Sequence, residues 1–311
     1  MCIKKVLPRI FPRMIHQDDD LLSKGGLSSP PFSDSVPHMW SICDFGVSSS
    51  LYRSNKSTVF AAKDLKSLKS YIIKAYSKKA VILDHSQRQI ERELRIHASL
   101  VHTNIVQLHA WFFDSRSIYM VLEQCSYTLS HLISSKYSTG IPETLGLPMM
   151  LQVANAIRYI HSLNVLHRDI KPSNIFLQAH GERYIVKLGD FGCAVHTKPT
   201  DLRLSINGTT PYFAPEIVDG IGHSFPADIW SFGITLHEAL TSTLPFDGST
   251  PSAIYKAIHD ANYTIPDSIK KDHNTTLTLW LLESCLDKQP DRRPSATQLI
   301  HKFSSSLFIP Q

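Results

Sequence analysis

Nothing in this chain approaches the roughly 20 consecutive apolar residues that a membrane-spanning helix needs, so no membrane partner is expected. Cysteine is sparse and unpatterned: Cys2, Cys43, Cys125, Cys193 and Cys285 are odd in number, widely spaced and free of CxxC or other metal-ligand spacing. That argues against a disulfide framework and for a reducing compartment, cytoplasmic and/or nuclear. Charge of one sign is also lacking. Against 27 Asp and Glu stand 32 Lys and Arg, scattered rather than run together, and the resulting +5 makes no case for a nucleic-acid partner. Asn55, Asn207 and Asn274 open Asn-X-Ser/Thr triplets, which read as chance matches once a secretory route is set aside. No internal repeat is visible. What the 311 residues do have is apolar mass, 42% of the chain, enough for one large core or two moderate ones.

The N-terminus carries Lys4, Lys5, Arg9 and Arg13 among apolar residues, in loose likeness to a transit peptide. Pro8, Pro12 and the run Asp18-Asp19-Asp20 argue against a targeting helix, so residues 1–41 are expected to be a disordered tail, its Ser-, Pro- and Gly-rich stretch 23–37 a linker. From about Ile42 to Glu123 the pattern is strand-rich with one helix. Thr58 to Ala61 and Ser70 to Lys74 read as strands around a polar turn, as do Ile105 to Leu108 and Ser117 to Leu122 around the turn from Asp114. Gln87 to Leu100 reads as a helix with Ile90, Leu94, His97 and Val101 on one face. Beyond Glu123 the chain turns helical, with helices expected over Pro148 to Leu163, Ala227 to Thr241 and Thr275 to Leu286, and a hairpin over Gln178 to Lys187. The layout is a small sheet-rich lobe followed by a larger helical one, with a ligand cleft between them.

The most informative stretch is His167-Arg168-Asp169-Ile170-Lys171-Pro172-Ser173-Asn174, followed by Asp190-Phe191-Gly192. It sets one proton acceptor and two metal-binding side chains in the order that phosphoryl transfer to a hydroxyl requires. Taken singly, His-Arg-Asp is a polar loop and Asp190 a turn former; the two motifs together at this separation make that bland reading hard to hold. Lys74 sits at the end of a strand-like run, and Glu93 lies 19 positions further on in the expected helix, a spacing that suits an ion pair.

On these motifs, in this order, residues from roughly 45 to 305 resemble a eukaryotic protein kinase domain of Ser/Thr type. The resemblance implies an α+β bilobal kinase fold over residues 42–308, with an N-lobe of about 42–123 and a C-lobe of about 124–308. It implies ATP and Mg²⁺ as cofactors, protein substrates, and an upstream kinase or activating partner. Position by position, Asp169 resembles the catalytic base and Lys171 the lysine that meets the γ-phosphate in Ser/Thr-type enzymes. Asn174 and Asp190 resemble the metal ligands, and Lys74 with Glu93 the pair that grips the α and β phosphates. Leu51 and Val59 fall at the nucleotide roof, Glu123 and Cys125 at the hinge, and Phe176 at the adenine floor. Glu216 is expected to pair with Arg293, and Asp228 to anchor the catalytic loop backbone. Ser205, four before Thr209, is the candidate phosphosite, with Arg168 as its phosphate ligand.

The chain departs from the family at the nucleotide loop. Aligned back from Val59, the three glycine positions hold Tyr52, Ser54 and Ser57; a register through Gly46 keeps one glycine at the cost of an overlong loop. Ile72 replaces the usual alanine over the adenine pocket. These changes support the alternative of a pseudokinase acting as a binding or scaffolding module, whereas the intact set Lys74, Glu93, Asp169, Asn174 and Asp190 favours an active enzyme. The segment from Gly208 to Glu216 resembles a protein-substrate platform and argues against a small-molecule phosphotransferase. Cys193 to His196, the surroundings of Glu93 with His97, and Pro245 to Gly248 with Tyr255 are most similar to Aurora-type kinases. Ser173 stands where enzymes that prefer basic residues before the target site carry a glutamate, while Glu238 matches a second such acid.

Overall fold

The computed structural model describes residues 40–307 except 182, 199, 206, 266–268 and 270–274. The expected tail over residues 1–41 thus lies outside the described residues except for its last two.

The small lobe is a five-stranded antiparallel sheet in the order β1-β2-β3-β5-β4. Its strands are β1 (Phe45–Arg53), β2 (Ser57–Asp64), β3 (Ser70–Ser77), β4 (Leu108–Phe113) and β5 (Ser117–Glu123). Side chains alternate across a strand. In β3, Tyr71, Ile73 and Ala75 therefore join Phe45, Ala62, Tyr119 and Val121 in the core on one face, while Lys74 and Tyr76 turn to the other. Two helices follow β3: α1 (Lys78–Leu83) and α2 (Gln87–Ser99), the second burying Ile90, Glu93, Leu94, Ile96 and His97.

Three expectations need correction here. Val101 is not on the buried face of α2 but 77% exposed. The helix stops at Ser99 and Leu100 is extended, so the helical period no longer carries residue 101 inward. The apolar run Ile105 to Leu108 is not a strand: Ile105 makes one bridge to Leu188, Val106 N–H donates to Leu188 O at 2.9 Å, and β4 begins only at Leu108. Those residues are apolar because they cross a buried junction between the lobes, which hydrophobicity alone does not distinguish from a strand. The helix expected from Pro148 starts at Glu143 and carries Pro148 within it.

The large lobe opens with β6 (Tyr127–Thr128) and α3 (Leu129–Lys136). Its centre is α4 (Glu143–Ser162), apolar on most sides, which places Met149, Met150, Val153, Ala154, Ile157 and Ile160 in the main core. After β7 (Val165–Leu166) comes the hairpin β8 (Ile175–His180) and β9 (Arg183–Leu188), turned at Gly181 as expected, and then β10 (Val195–His196), which pairs back to β7. The helices α5 (Pro215–Val218), α6 (Phe225–Thr241), α7 (Pro251–Asp260), α8 (Thr275–Cys285) and α9 (Ala296–Leu307) complete it. None of the described helices is long and apolar enough to cross a membrane.

Candidate active site

The inner face of β3 and the inward side of α2 bring together residues far apart in sequence. Lys74 Nζ lies 2.9 Å from Glu93 Oε1 and 2.9 Å from Asp190 Oδ1, bridging the small lobe to the turn after β9. Burial works against the Lys74 charge, but the two carboxylates overcome it and hold its pKa well above the usual lysine range. Dehydration by the surrounding protein also opposes the Asp190 charge, yet the Lys74 ammonium, with hydrogen bonds from Lys74 and Gly192 N–H, keeps the carboxyl at about 2. Glu93 is almost wholly buried, and its second oxygen accepts a hydrogen bond from the Tyr76 hydroxyl at 2.6 Å. Two further contacts tie α2 to the same turn. Gln89 Nε2 donates to Gly192 O at 3.0 Å, and the buried Phe191 ring sits between the rings of His97 and His167, at 4.9 and 5.0 Å. Burial lowers the pKa of both histidines, and His97 Nε2 lies 2.7 Å from Val106 O.

Below this chain of charges, Asp169, Lys171, Asn174 and Thr209 form one network. Lys171 Nζ donates to Asp169 Oδ2 at 2.8 Å and also to Thr209 Oγ1; the Thr209 hydroxyl donates to Asp169 Oδ1 at 2.8 Å, and Asn174 Nδ2 to Asp169 Oδ2 at 2.8 Å. The loop is held by Asp228, which is fully buried and accepts the backbone N–H of His167 and of Arg168, both at 2.9 Å, with His161 Nε2 at 2.8 Å. That clamp maintains Arg168 in the left-handed region at φ 70°, a conformation that costs a non-glycine residue energy unless its surroundings impose it. Gly208 crosses the loop so closely that a Cβ there would stand 2.3 Å from Arg168 O, at φ 118°.

The donors present fit a hard divalent cation. Hydrogen bonds reach Asp190 at Oδ1 and Asn174 at Nδ2, which leaves Oδ2 of one and Oδ1 of the other without a protein donor among the described residues. No group of three or more His, Cys, Asp or Glu that would cage a metal occurs among the described residues. Two oxygens from the protein suit Mg²⁺, which takes its remaining ligands from phosphates and water.

At the edge of the small-lobe sheet, β1 and β2 are joined by a turn that serine closes. Ser54 N–H donates to Ser57 O at 2.8 Å, and Ser54 Oγ accepts from Ser57 N–H at 3.0 Å and Lys56 N–H at 3.3 Å. No residue of this turn has positive φ, so its form makes no demand for glycine. Gly46 pairs with Lys63 at the far end of β1, which removes the register through that residue. Val59 pairs with Lys74 across β2 and β3, whereas Leu51 is 61% exposed on β1. Phe176 packs against Gly189, where a Cβ would come within 2.8 Å of its ring. The Glu123 carboxylate is taken up by Lys187 at 3.1 Å and Gln178 at 3.0 Å, and its backbone N–H donates to Gln107 O at 2.9 Å. Burial, with the Glu123 charge, pushes the Cys125 thiol up to about 12.

Ser205 is exposed, and its hydroxyl accepts from Arg168 Nη1 at 3.0 Å. Burial, with the charges of Arg92 and Arg203, lowers Arg168 to about 10. The buried Nε of Arg92 has no hydrogen-bond partner. The guanidinium groups of Arg92 and Arg203 thus act on Arg168, the one of the three that contacts Ser205. Sequence reasoning passed over Arg92, Gln89 and Tyr76, although Arg92 directly precedes Glu93 and Tyr76 shares the strand face of Lys74.

The comparisons with known proteins agree with this geometry. The family model of the protein kinase domain matches residues 53–303. Aurora/IPL1-related protein kinase 2 of Caenorhabditis elegans is 35% identical over 235 residues, covering 75% of this chain and 74% of that protein. Serine/threonine-protein kinase PLK2 of Mus musculus is 32% identical over 250 residues, 79% of this chain but 35% of that protein. A relative named inactive serine/threonine-protein kinase PLK5, also from Mus musculus, is 35% identical over 226 residues, 72% of this chain and 36% of its own length. With the bilobal fold and its interlobe site, these matches show that the chain belongs to the protein kinase family, among the Ser/Thr kinases related to the Aurora and Polo-like groups.

Proposed function

We propose that the chain is an active Ser/Thr protein kinase that moves the γ-phosphate of Mg-ATP to a protein hydroxyl. The observation that carries this reading is the unbroken contact from Glu93 through Lys74 to Asp190, standing over the Asp169 network in one cleft. In this assignment Asp169 orients the substrate hydroxyl and accepts its proton as the bond from the γ-phosphorus to the β,γ-bridging oxygen breaks and ADP leaves. Lys171 stabilises the transferring group, Lys74 grips the α and β phosphates, and Glu93 positions Lys74. Magnesium held by Asp190 and Asn174 would neutralise charge on the phosphates. Leu51, Val59 and Phe176 enclose the adenine, with the backbone at Glu123 and Cys125 as its hydrogen-bonding edge.

The serine-closed turn favours a second reading, a pseudokinase that binds partners without transfer. Ser54 Oγ occupies N–H groups of Lys56 and Ser57 that would otherwise be open to phosphate. Thermal melting with ATP, with and without Mg²⁺, tests the binding half of the proposal. A saturable Mg²⁺-dependent rise in Tm is expected, and no rise at millimolar ATP would favour the pseudokinase. Ser54→Gly is expected to release both N–H groups and lower the KM for ATP by about threefold to tenfold, the net worth of one ordinary hydrogen bond. Steady-state kinetics check it, and an unchanged KM would show that the turn does not limit nucleotide binding.

Ser205 is proposed as a phosphorylation site for an upstream kinase, with Arg168, Arg92 and Arg203 as the waiting cations. Ser205→Ala is expected to reduce activity of the phosphorylated protein about tenfold and to leave the unphosphorylated protein unchanged, read by comparing phosphatase-treated and untreated samples.

A further inference from the structure

We propose that Tyr76 is a positioning residue that latches α2 in the arrangement needed to hold Lys74. The proposal rests on the kinase reading for its kinetic consequences. Tyr76 lies two residues beyond Lys74 on β3, hence on the same face, and its side chain is buried. Its hydroxyl donates to Glu93 Oε2 at 2.6 Å, while its ring lies 5.2 Å from Lys74 Nζ. It touches both members of the ion pair.

Glu93 makes the hydroxyl consequential. Its side chain is 2% exposed, so water cannot replace a lost partner, and Lys74 engages only Oε1. With an apolar residue at position 76, Oε2 would be a buried anionic oxygen with no hydrogen bond, which is costlier than the same group in water. The helix would relieve that by moving outward, drawing Glu93 from Lys74. Lys74 would then lean on Asp190 alone, at the oxygen that also accepts from Gly192 N–H. Burial and the nearby Glu93 charge raise the pKa of Tyr76, so the phenol stays protonated and remains a donor. Simple space filling would account for the ring; it does not account for a 2.6 Å bond aimed at the one oxygen of Glu93 that Lys74 leaves open.

Tyr76→Phe, which keeps the ring, is compared with Glu93→Gln and with the double variant in the full chain. Kinetics are measured with Mg-ATP and a basic model protein, and amide hydrogen exchange is followed over residues 87–99. Tyr76→Phe is expected to lower kcat/KM for ATP about tenfold with the KM for the protein substrate unchanged, and to speed exchange in α2. Because the hydroxyl acts through Glu93, adding Tyr76→Phe to Glu93→Gln should cost less than twofold more. Wild-type kinetics and exchange with Tyr76→Phe would overturn the latch, as would full multiplicative loss in the double variant. Should wild type itself transfer no phosphate, the kinase reading fails and the exchange measurement alone decides the latch. If Tyr76→Phe does not fold, Glu93→Gln reads the same contact from its other end, with faster α2 exchange expected and unchanged exchange overturning it.

Discussion

Asp190→Asn is expected to lower phosphoryl transfer by about three orders of magnitude or more while the protein stays folded, as judged by initial rates and by circular dichroism. Two losses combine. The amide removes the anionic oxygen proposed to bind metal, and it removes one of the two carboxylates that keep Lys74 charged and in place. The fold tolerates the change because the Asp190 side chain is 44% exposed to the cleft and Lys74 keeps its contact with Glu93. The same carboxyl fixes a pH signature. Its pKa in the folded protein, about 2, lies below the ordinary value of 3.8, so its contribution to stability is fully present above pH about 4 and disappears as pH falls towards 2. Asp190→Asn should therefore flatten the melting curve against pH in that window, and an unchanged slope would contradict the ion pair.

Arg293→Met and Glu216→Gln are each expected to lower Tm by about 10 °C without altering the KM for ATP of the protein that remains folded. Arg293 Nη1 and Nη2 donate to Glu216 Oε1 and Oε2, both at 2.8 Å, and the two side chains are 0% and 3% exposed. The guanidinium also donates to the carbonyls of Pro226 and Asp287 and lies 4.9 Å from the Trp230 ring centre. Removing either partner strands the other charge in the interior, a loss of about 3–5 kcal/mol. For a domain of this size each kcal/mol moves Tm by about 2–4 °C. The pair joins the short helix α5 to the segment before α9, well away from the β3 face that carries Lys74, so nucleotide affinity is spared. Calorimetry checks it; a shift under about 3 °C would show that water or a neighbour compensates the orphaned group.

The structure joins Lys74 with Glu93, the pair that spacing suggested, and also Glu216 with Arg293 and Asp228 with the backbone at His167 and Arg168, the partners that the kinase resemblance implied. The helix α2 was legible because burial on one face repeats with helical geometry, whereas α6 was legible as a continuous apolar stretch that is buried almost all round. The misses share a physical cause. Val101 lies exposed just past the end of α2, and the run from Ile105 is apolar because it crosses a buried junction outside regular structure, so periodicity has nothing to say at either. The helix expected from Pro148 begins at Glu143 because Pro148 sits at its sixth position, where the ring gives up one hydrogen bond to the Thr144 carbonyl without ending the helix. Tyr76 and Arg92 acquire their meaning only once α2 is laid against β3 and the catalytic loop. The serine clasp is a different case: the absence of glycine was visible, but the turn that replaces it depends on which N–H groups Ser54 reaches.

The cleft is proposed to transfer phosphate and not merely to bind nucleotide. The most direct test is single-turnover transfer from γ-labelled Mg-ATP to a generic Ser- and Thr-containing protein, wild type beside Asp169→Asn. Labelled phosphoserine or phosphothreonine from wild type, cut by about two orders of magnitude or more in Asp169→Asn, is the predicted result. Saturable ATP binding with no transfer, the same in both proteins, would contradict it.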